Sequence, residues 1–242
     1  MGKFSPYTVG DAARLAGSAD ILELGIRRPS SNATGPGLVR SRIALAVRLM
    51  SLAPGDRLPD TGVLAESLSI GEITVRRTLE TMCQDGLLER RRGRTGGTFV
   101  AANWDSMVAE FHDEGHARPL AELHLLLEAG LVAIGCGDDR SDEVRVLGEL
   151  VLELDGTVDA RAAASLEARF HLELAQQLGT AAAAERAAEL LGRLCWLRPG
   201  PDLDTLRRLN ETHRALLAAL GSGSVEAAVA AVTEHASRSG LH

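Results

Sequence analysis

The sequence predicts a mainly α protein: an N-terminal helix-turn-helix with a small β-hairpin wing, followed by an all-α helical bundle. Three observations predict it. Hydrophobic residues make up 45% of the 242 positions but aromatics only 3%, so the core must be built from Leu, Ala and Val; abundant Ala and Leu favour helix. Apolar positions recur at helical spacing along most of the chain, interrupted by Gly, Pro and Asp. The β-rich stretch that stands out flanks a Gly/Arg tip near residues 90–97.

In chain order, residues 1–36 read as an arm and linker, in which "ADILELGI" is a short piece with some order and "RRPSSNATGPG" is connecting chain. A helical pattern runs from Leu38 to Leu52 through Ile43, Val47 and Met50, and "APGDRLP" stops it. "DTGVLAESL" is a short helix, "SIG" a turn, and "EITVRRTLETMCQDG" a second helix ending at Gly86. Val75, Leu79 and Met82 share one face of that helix; Glu72, Ile73, Arg76, Arg77 and Glu80 lie on the other or its flank. "GLLERRRGRTGGTFVA" is the hairpin. Residues 37–102 therefore form one unit. Residues 103–242 form a second, with helices expected near 105–115, 119–135, 141–155, 158–178, 181–196, 202–220 and 224–238.

Charge divides along the same boundary. Residues 37–102 hold ten arginines against seven acidic residues, a net +3, whereas residues 103–242 hold twelve against twenty-three, a net −11. A basic small unit on an acidic large one predicts that only the first meets a polyanion. No apolar run is long enough to cross a bilayer and the N-terminus has no apolar h-region, so a cytoplasmic protein is expected. Cys83, Cys136 and Cys195 are odd in number and far apart, as expected of buried thiols in a reducing compartment; the acceptor motif Asn32-Ala33-Thr34 then has no meaning.

A helix-turn-helix with a basic wing is a physical solution to reading a duplex: the second helix enters the major groove and the wing reaches an adjacent groove or phosphates. Glu72, Ile73, Thr74, Arg76 and Arg77 are the candidate contacts on the helix. Arg90, Arg91, Arg92 and Arg94 are those on the wing, with Gly96 and Gly97 giving the tip room for close backbone approach. Any one of these arginines alone is better read as a solvated side chain; all of them, in this order on the basic section, point to double-stranded DNA. The stretch "PGDRLP…LAESLSIGEITVRRTLETMCQDGLLERRRGRTGGTFV" resembles the winged-helix domain of the GntR family of bacterial transcription regulators, over about residues 38–101. The resemblance implies that Arg76 contacts DNA. Where the family has Ser-Arg, this chain has Gly71-Glu72. Glu72 can accept from a cytosine amino group or sit on the helix N-terminus, and an atypical operator or weakened binding is expected.

The second unit carries polar residues on apolar stripes. Glu167 and His171 share a stripe with Ala164, Leu174, Ala175 and Leu178, with Arg169, Glu173 and Gln176 facing away. His213 lies among Leu206, Leu209, Leu216, Leu217 and Leu220, and His235 beside Ala228, Ala231 and Val232. A single inward histidine is usually a hydrogen-bonded core residue. Three on three helices, plus a carboxylate, are costly to bury unless they share a partner. A divalent metal is such a partner: zinc first, with nickel, manganese or iron also suited to imidazole and carboxylate. "LEARFHLELAQQLG" and "NETHRALLAALGSGSVEAAVAAVTEHA" resemble the FCD effector domain of the FadR subfamily, over about residues 105–238. That domain carries Asp-x3-His and one His on each of two later helices, which implies Glu167, His171, His213 and His235 as ligands, with Glu in place of Asp. The family's Arg-x3-Glu, whose Arg holds an effector carboxylate, falls on His124 and Glu128. His124 either touches the effector or is a plain core histidine. His112 and His116 read as solvated.

These readings combine into a ligand-responsive regulator, a repressor by family expectation. It binds operator DNA as a homodimer and takes a small anion, an organic acid, at a metal-containing pocket; no membrane is involved. Three alternatives differ in class: a sensor of the metal itself, a metal-dependent hydrolase using the His3Glu set, and a structural DNA binder without operator preference.

Overall fold

The computed structural model describes residues 36–94, 96–111, 113–136, 140–198 and 200–239. The arm expected up to residue 36, and with it Asn32 and Thr34, falls outside these residues except for Pro36, which already opens a helix; His112 lies outside them as well.

Helix α1 (Pro36–Leu49) is buried around most of its circumference, through Val39, Ile43, Ala44, Leu45, Ala46, Val47 and Leu49. It ends three residues short of the expected Leu52, because Ser51 turns into the left-handed region at φ 52°. Helix α2 (Thr61–Ser67) and helix α3 (Glu72–Gln84) follow, joined by a turn in which the Ile70 amide donates to the Ala65 carbonyl at 3.0 Å. Gly86, at φ 74°, terminates α3 in a conformation that suits glycine. Strands β1 (Leu88–Arg91) and β2 (Gly97–Val100) pair antiparallel, with Leu88 opposite Val100 and Arg91 opposite Gly97. Val39, Ile43, Leu64, Leu68, Val75, Leu79, Met82, Leu88 and Val100 close one core, so the expected order of helix, helix, turn, helix and hairpin is present.

The remainder is helical: α4 (Trp104–Glu110), α5 (Glu114–Gly135), α6 (Ser141–Gly156), α7 (Ala160–Leu178), α8 (Ala181–Leu197), α9 (Leu203–Ser222) and α10 (Val225–Arg238). Two expectations need correction. The helix expected over 105–115 stops at Glu110, and α5 begins at Glu114, so Pro119 lies inside a helix rather than at its start. The bond that Pro119 cannot make would have gone to the carbonyl of Gly115, whose exposed position lets water replace it. Second, Glu173 is buried, not turned to solvent. Helix α7 packs against α1, α5, α6, α8 and α9, so even the side opposite its apolar stripe is covered. The cysteines are only partly buried. Among the described residues no helix is long and apolar enough to cross a membrane.

The two units are joined through α1. Leu45 and Leu49 pack with Ala168 and Leu172 of α7 and Ala188 of α8. Ser165 donates to the Leu49 carbonyl at 2.7 Å, and Arg42 reaches Glu185 at 3.6 Å.

Candidate functional site

The exposed side of α3 presents Glu72, Ile73, Arg76, Arg77 and Glu80, with Thr74 half-buried. Ile73 is 69% exposed, so this face of α3 carries an apolar side chain among its charges. Glu72 is not free: its carboxylate accepts from Arg76 at 2.7 Å, one helical turn away. On the wing, Arg90, Arg91, Arg92 and Arg94 are exposed. Arg90 lies 3.7 Å from Glu80, and Arg91 lies over the Phe99 ring at 4.1 Å. The two wing glycines are also constrained within the protein itself. A Cβ at Gly96 would stand 2.6 Å from the Arg91 carbonyl oxygen, and one at Gly97 2.5 Å from Arg57 Nε. Hairpin backbone crowds Gly96, while Gly97 meets the Arg57 side chain and sits at φ 149°, a conformation that suits glycine.

The polar stripes of the bundle converge. One ligand atom from each of Glu167 and His171 on α7, His213 on α9 and His235 on α10 lies within 4.8 Å of the others. His124 and Glu128 on α5 join them through a second cluster that shares His171. His171 is the hub: its Nδ1 lies 2.6 Å from Glu128 Oε1 and its Nε2 3.3 Å from Glu167 Oε1. His235 Nε2 lies 3.2 Å from Glu167 Oε1, and its Nδ1 meets Thr212 Oγ1 at 2.9 Å. His213 Nδ1 meets Asn210 Oδ1 at 3.3 Å, and its ring stacks on Phe170 with centroids 3.7 Å apart.

Three buried polar atoms are left over: Glu167 Oε2, His213 Nε2 and His124 Nε2 have no hydrogen-bond partner. Two belong to the four-residue set. Orphaned buried polar atoms are costly, and a divalent cation held by the four-residue set would relieve the cost of burying these groups together. A borderline cation accepts the donor set of three imidazoles and one carboxylate; Thr212 holds the His235 nitrogen that faces away from Glu167, as an outer-shell partner does, whereas Asn210 meets the His213 Nδ1 that also lies 3.8 Å from Glu167 Oε2. The residues fit a metal.

Electrostatics agree. Burial drives the His213 imidazole down to about 3 and that of His124 down to about 4, so both are neutral donors at neutral pH. Burial pushes the Glu167 carboxyl upward, but His213, His171 and His235 outweigh it and hold the group well below the usual range. Glu128 is held at about 2, burial again being outweighed, chiefly by His171. His171 moves the other way: burial disfavours its charge, yet Glu128 and Glu167 raise it to about 10. Without a metal, two carboxylates share one imidazolium.

A cavity of about 290 Å³ opens onto this cluster, lined by His124, Glu128, Glu167, His171 and His235, and also by Arg48 and Arg198. That volume is at the small end of ligand pockets, roughly 300–1,000 Å³. The polar stripes made the four-residue set and the pair His124/Glu128 legible in sequence. They could not show that Glu128 holds His171, nor that Arg48, Arg198, Asn210 and Thr212 attend the site. Asn210 and Thr212 stand just before His213 on its own helix, which is the one available signal.

Comparison with known proteins fits this division. The FCD domain family matches residues 119–238, and the family described as bacterial regulatory proteins, gntR family, matches residues 39–100. RmpR of Mycobacterium gastri, named as an HTH-type transcriptional regulator, is 32% identical over 140 residues, which are 55% of this chain and 51% of RmpR, so the chain spans about half that relative's length. YhcF of Bacillus subtilis, an uncharacterized HTH-type transcriptional regulator, is 34% identical over 90 residues, 34% of this chain and 72% of YhcF. A GntR-type regulator structure from Rhodococcus sp. RHA1 covers 84% of this chain and 95% of its own at 19% identity and a TM-score of 0.50, a likeness of fold alone. The chain belongs to the GntR family of bacterial regulatory proteins and carries an FCD domain, which sets it among transcription regulators rather than enzymes.

Proposed function

We propose that this protein is a ligand-responsive repressor, in which residues 37–102 read operator DNA and residues 103–242 hold a divalent metal and a small carboxylate effector. The observation that carries this reading is the meeting of Glu167, His171, His213 and His235 within 4.8 Å, with buried atoms of two of them unpaired, at the wall of a cavity. Those four residues would hold the metal, zinc in the first instance; when bound, it supplies a Lewis-acid centre on which an effector anion can complete the coordination. Glu128 keeps the His171 ring oriented, and Thr212 and Asn210 do the same for His235 and His213.

At the other end, Arg76, Arg77, Arg90, Arg91, Arg92 and Arg94 supply the charge for phosphate and base contact, and Ile73 and Thr74 the groove-facing surface of α3. A homodimer would place two such heads on a two-fold operator, and the effector would act by biasing their spacing. The opening of the cavity onto Glu167, His171 and His235 favours an effector site over a sensor of the metal alone, which needs no adjoining cavity.

The test is direct. Metal analysis of the purified chain should find close to one divalent ion per protomer, and Glu167→Ala with His171→Ala should abolish it. Operator fragments selected from random DNA should be bound by the native protein and released by an organic acid. Metal content unchanged in the double variant, or DNA binding that follows metal alone, would refute the effector-pocket reading.

A further inference from the structure

The cavity beside the proposed metal site is lined on one side by a residue that does not belong to the FCD domain. Arg48 lies in the last turn of α1, inside the stretch that matches the gntR family, yet it lines the same cavity as Glu167, His171 and His235. It is partly buried, and among the described residues no carboxylate pairs with it.

Its surroundings explain why it stays unpaired. Glu128 and Glu167, the acidic residues of the cavity, each turn Oε1 to His171, and neither forms an ion pair with Arg48. Asp105, in the adjoining cavity that Arg48 also lines, is taken by Arg161 at 2.6 Å. Burial raises the thiol of neighbouring Cys195, so it offers no counter-ion. The C-terminal end of α1 favours a cation at this place, but a helix end does not satisfy a guanidinium fork. Room is also kept for it: a Cβ at Gly200 would stand 3.1 Å from both Nη1 and Nη2. Arg198, the other arginine of the cavity, has partners of its own. His124 cannot form a fork with a carboxylate, whereas a planar guanidinium can.

We infer that Arg48 is the anion-binding arginine of this cavity, that its ligand is a small organic acid whose carboxylate lies between it and the proposed metal site, and that the DNA-reading unit thereby grips the effector directly. This rests on the effector-pocket reading above and adds to it a route for the signal. Helix α1 also meets α7 through the bond from Ser165 to the Leu49 carbonyl, two residues before Glu167. An anion drawn to Arg48 therefore pulls on the same joint that connects the two units.

The experiment uses the full chain loaded with zinc, and L-malate and acetate as probes. Binding is followed by calorimetry, and amide exchange across residues 36–49 reports the coupling. The native protein should bind at least one probe and slow exchange in α1. Arg48→Gln should weaken that binding about tenfold or more, as expected when a charge-assisted fork is lost, and remove the slowing, with zinc content and helical content unchanged. Arg48→Lys should recover part of the affinity. Equal binding in Arg48→Gln, or no uptake of either probe by the native chain, overturns the inference. Zinc content is measured separately, so a metal site that fails is told apart from an arginine that is not used.

Discussion

His171 Nδ1 lies 2.6 Å from Glu128 Oε1, and this contact joins the two polar pairs that are separate in the sequence. Glu128 and His171 stand 43 residues apart on α5 and α7, both buried. The pairing orients the ring so that Nε2 faces Glu167 and the other histidines. Glu128 therefore acts on the proposed metal through His171. Glu128→Gln should retain the fold and weaken zinc affinity about 10- to 100-fold, as loss of an outer-shell carboxylate does. Competition against a chelator of known affinity measures this. Unchanged affinity would mean that Glu128 serves the cavity alone.

Removing the metal should loosen the bundle. Ligands from α7, α9 and α10 lie together, so a bound ion links three helices. At a free metal concentration 100 times its dissociation constant, binding adds about 2.7 kcal/mol of stability. Chelator-treated protein should melt measurably lower, and zinc should restore the loss. Glu167→Asp should keep the response, because a carboxylate remains; Glu167→Ala should remove it. Identical melting with and without chelator would count against a metal in the core.

Much of this site was legible because helical periodicity turns inward-facing His and Glu into exceptions that can be seen one by one. Where several helices surround one, the same periodicity misleads: Glu173 reads as exposed on a single wheel, but α7 has neighbours on nearly every side. The position of Arg48 was out of reach for a related reason. Its helix reads as part of the DNA-reading unit, and only tertiary packing turns this last-turn side chain toward the other unit's cavity. The crowding of the wing glycines by Arg57 and Arg91 was likewise out of reach, because it depends on contacts that no sequence pattern shows.

The metal-free protein should be most stable near pH 6.5. Below that value an unfolded chain protonates its histidines, while the folded chain keeps His124 neutral down to about 4 and His213 down to about 3. The unfolded state then binds more protons, so stability falls as pH drops. Above pH 6.5 the asymmetry reverses. Folded His171 holds its proton up to about 10, so the stability from its carboxylate pairs is full below 6.5 and is lost as pH rises through 10. Thermal melts across pH 4–10 should trace a maximum, and His171→Gln should flatten the alkaline side, where His171 is the group that loses its proton. A metal-free curve still rising above pH 8 would contradict the shared-proton arrangement.

Freeing Arg76 should strengthen DNA binding. Glu72 holds its guanidinium at 2.7 Å and places a negative charge on the face that α3 would present to phosphates. Both groups are more than half exposed, so the pair itself contributes little stability. Glu72→Ala should therefore leave melting almost unchanged and raise affinity for DNA. If Arg76 gains one phosphate contact, the slope of log affinity against log salt should steepen by about one. An unaltered slope would place residue 72 away from the DNA.

Gly192 fixes how closely the two units approach. It lies in α8 against α1, and a Cβ there would stand 2.5 Å from the Ser41 carbonyl oxygen and 2.9 Å from its carbon. The obstacle is backbone, so a flexible side chain cannot simply swing aside. Gly192→Ala must separate α1 from α8, disturbing the packing of Leu45 and Leu49 against Ala188 and the contact of Trp196 Nε1 with Ser41 Oγ at 3.4 Å. Overpacking of this kind costs about 1–3 kcal/mol, partly offset by the helix preference for alanine over glycine, about 1 kcal/mol. The expected result is a lower melting temperature with zinc content retained, because the metal ligands on α7, α9 and α10 do not touch this contact. A variant as stable as the native chain would mean that the α1–α8 contact is looser in solution than the close approach of Gly192 to Ser41 requires.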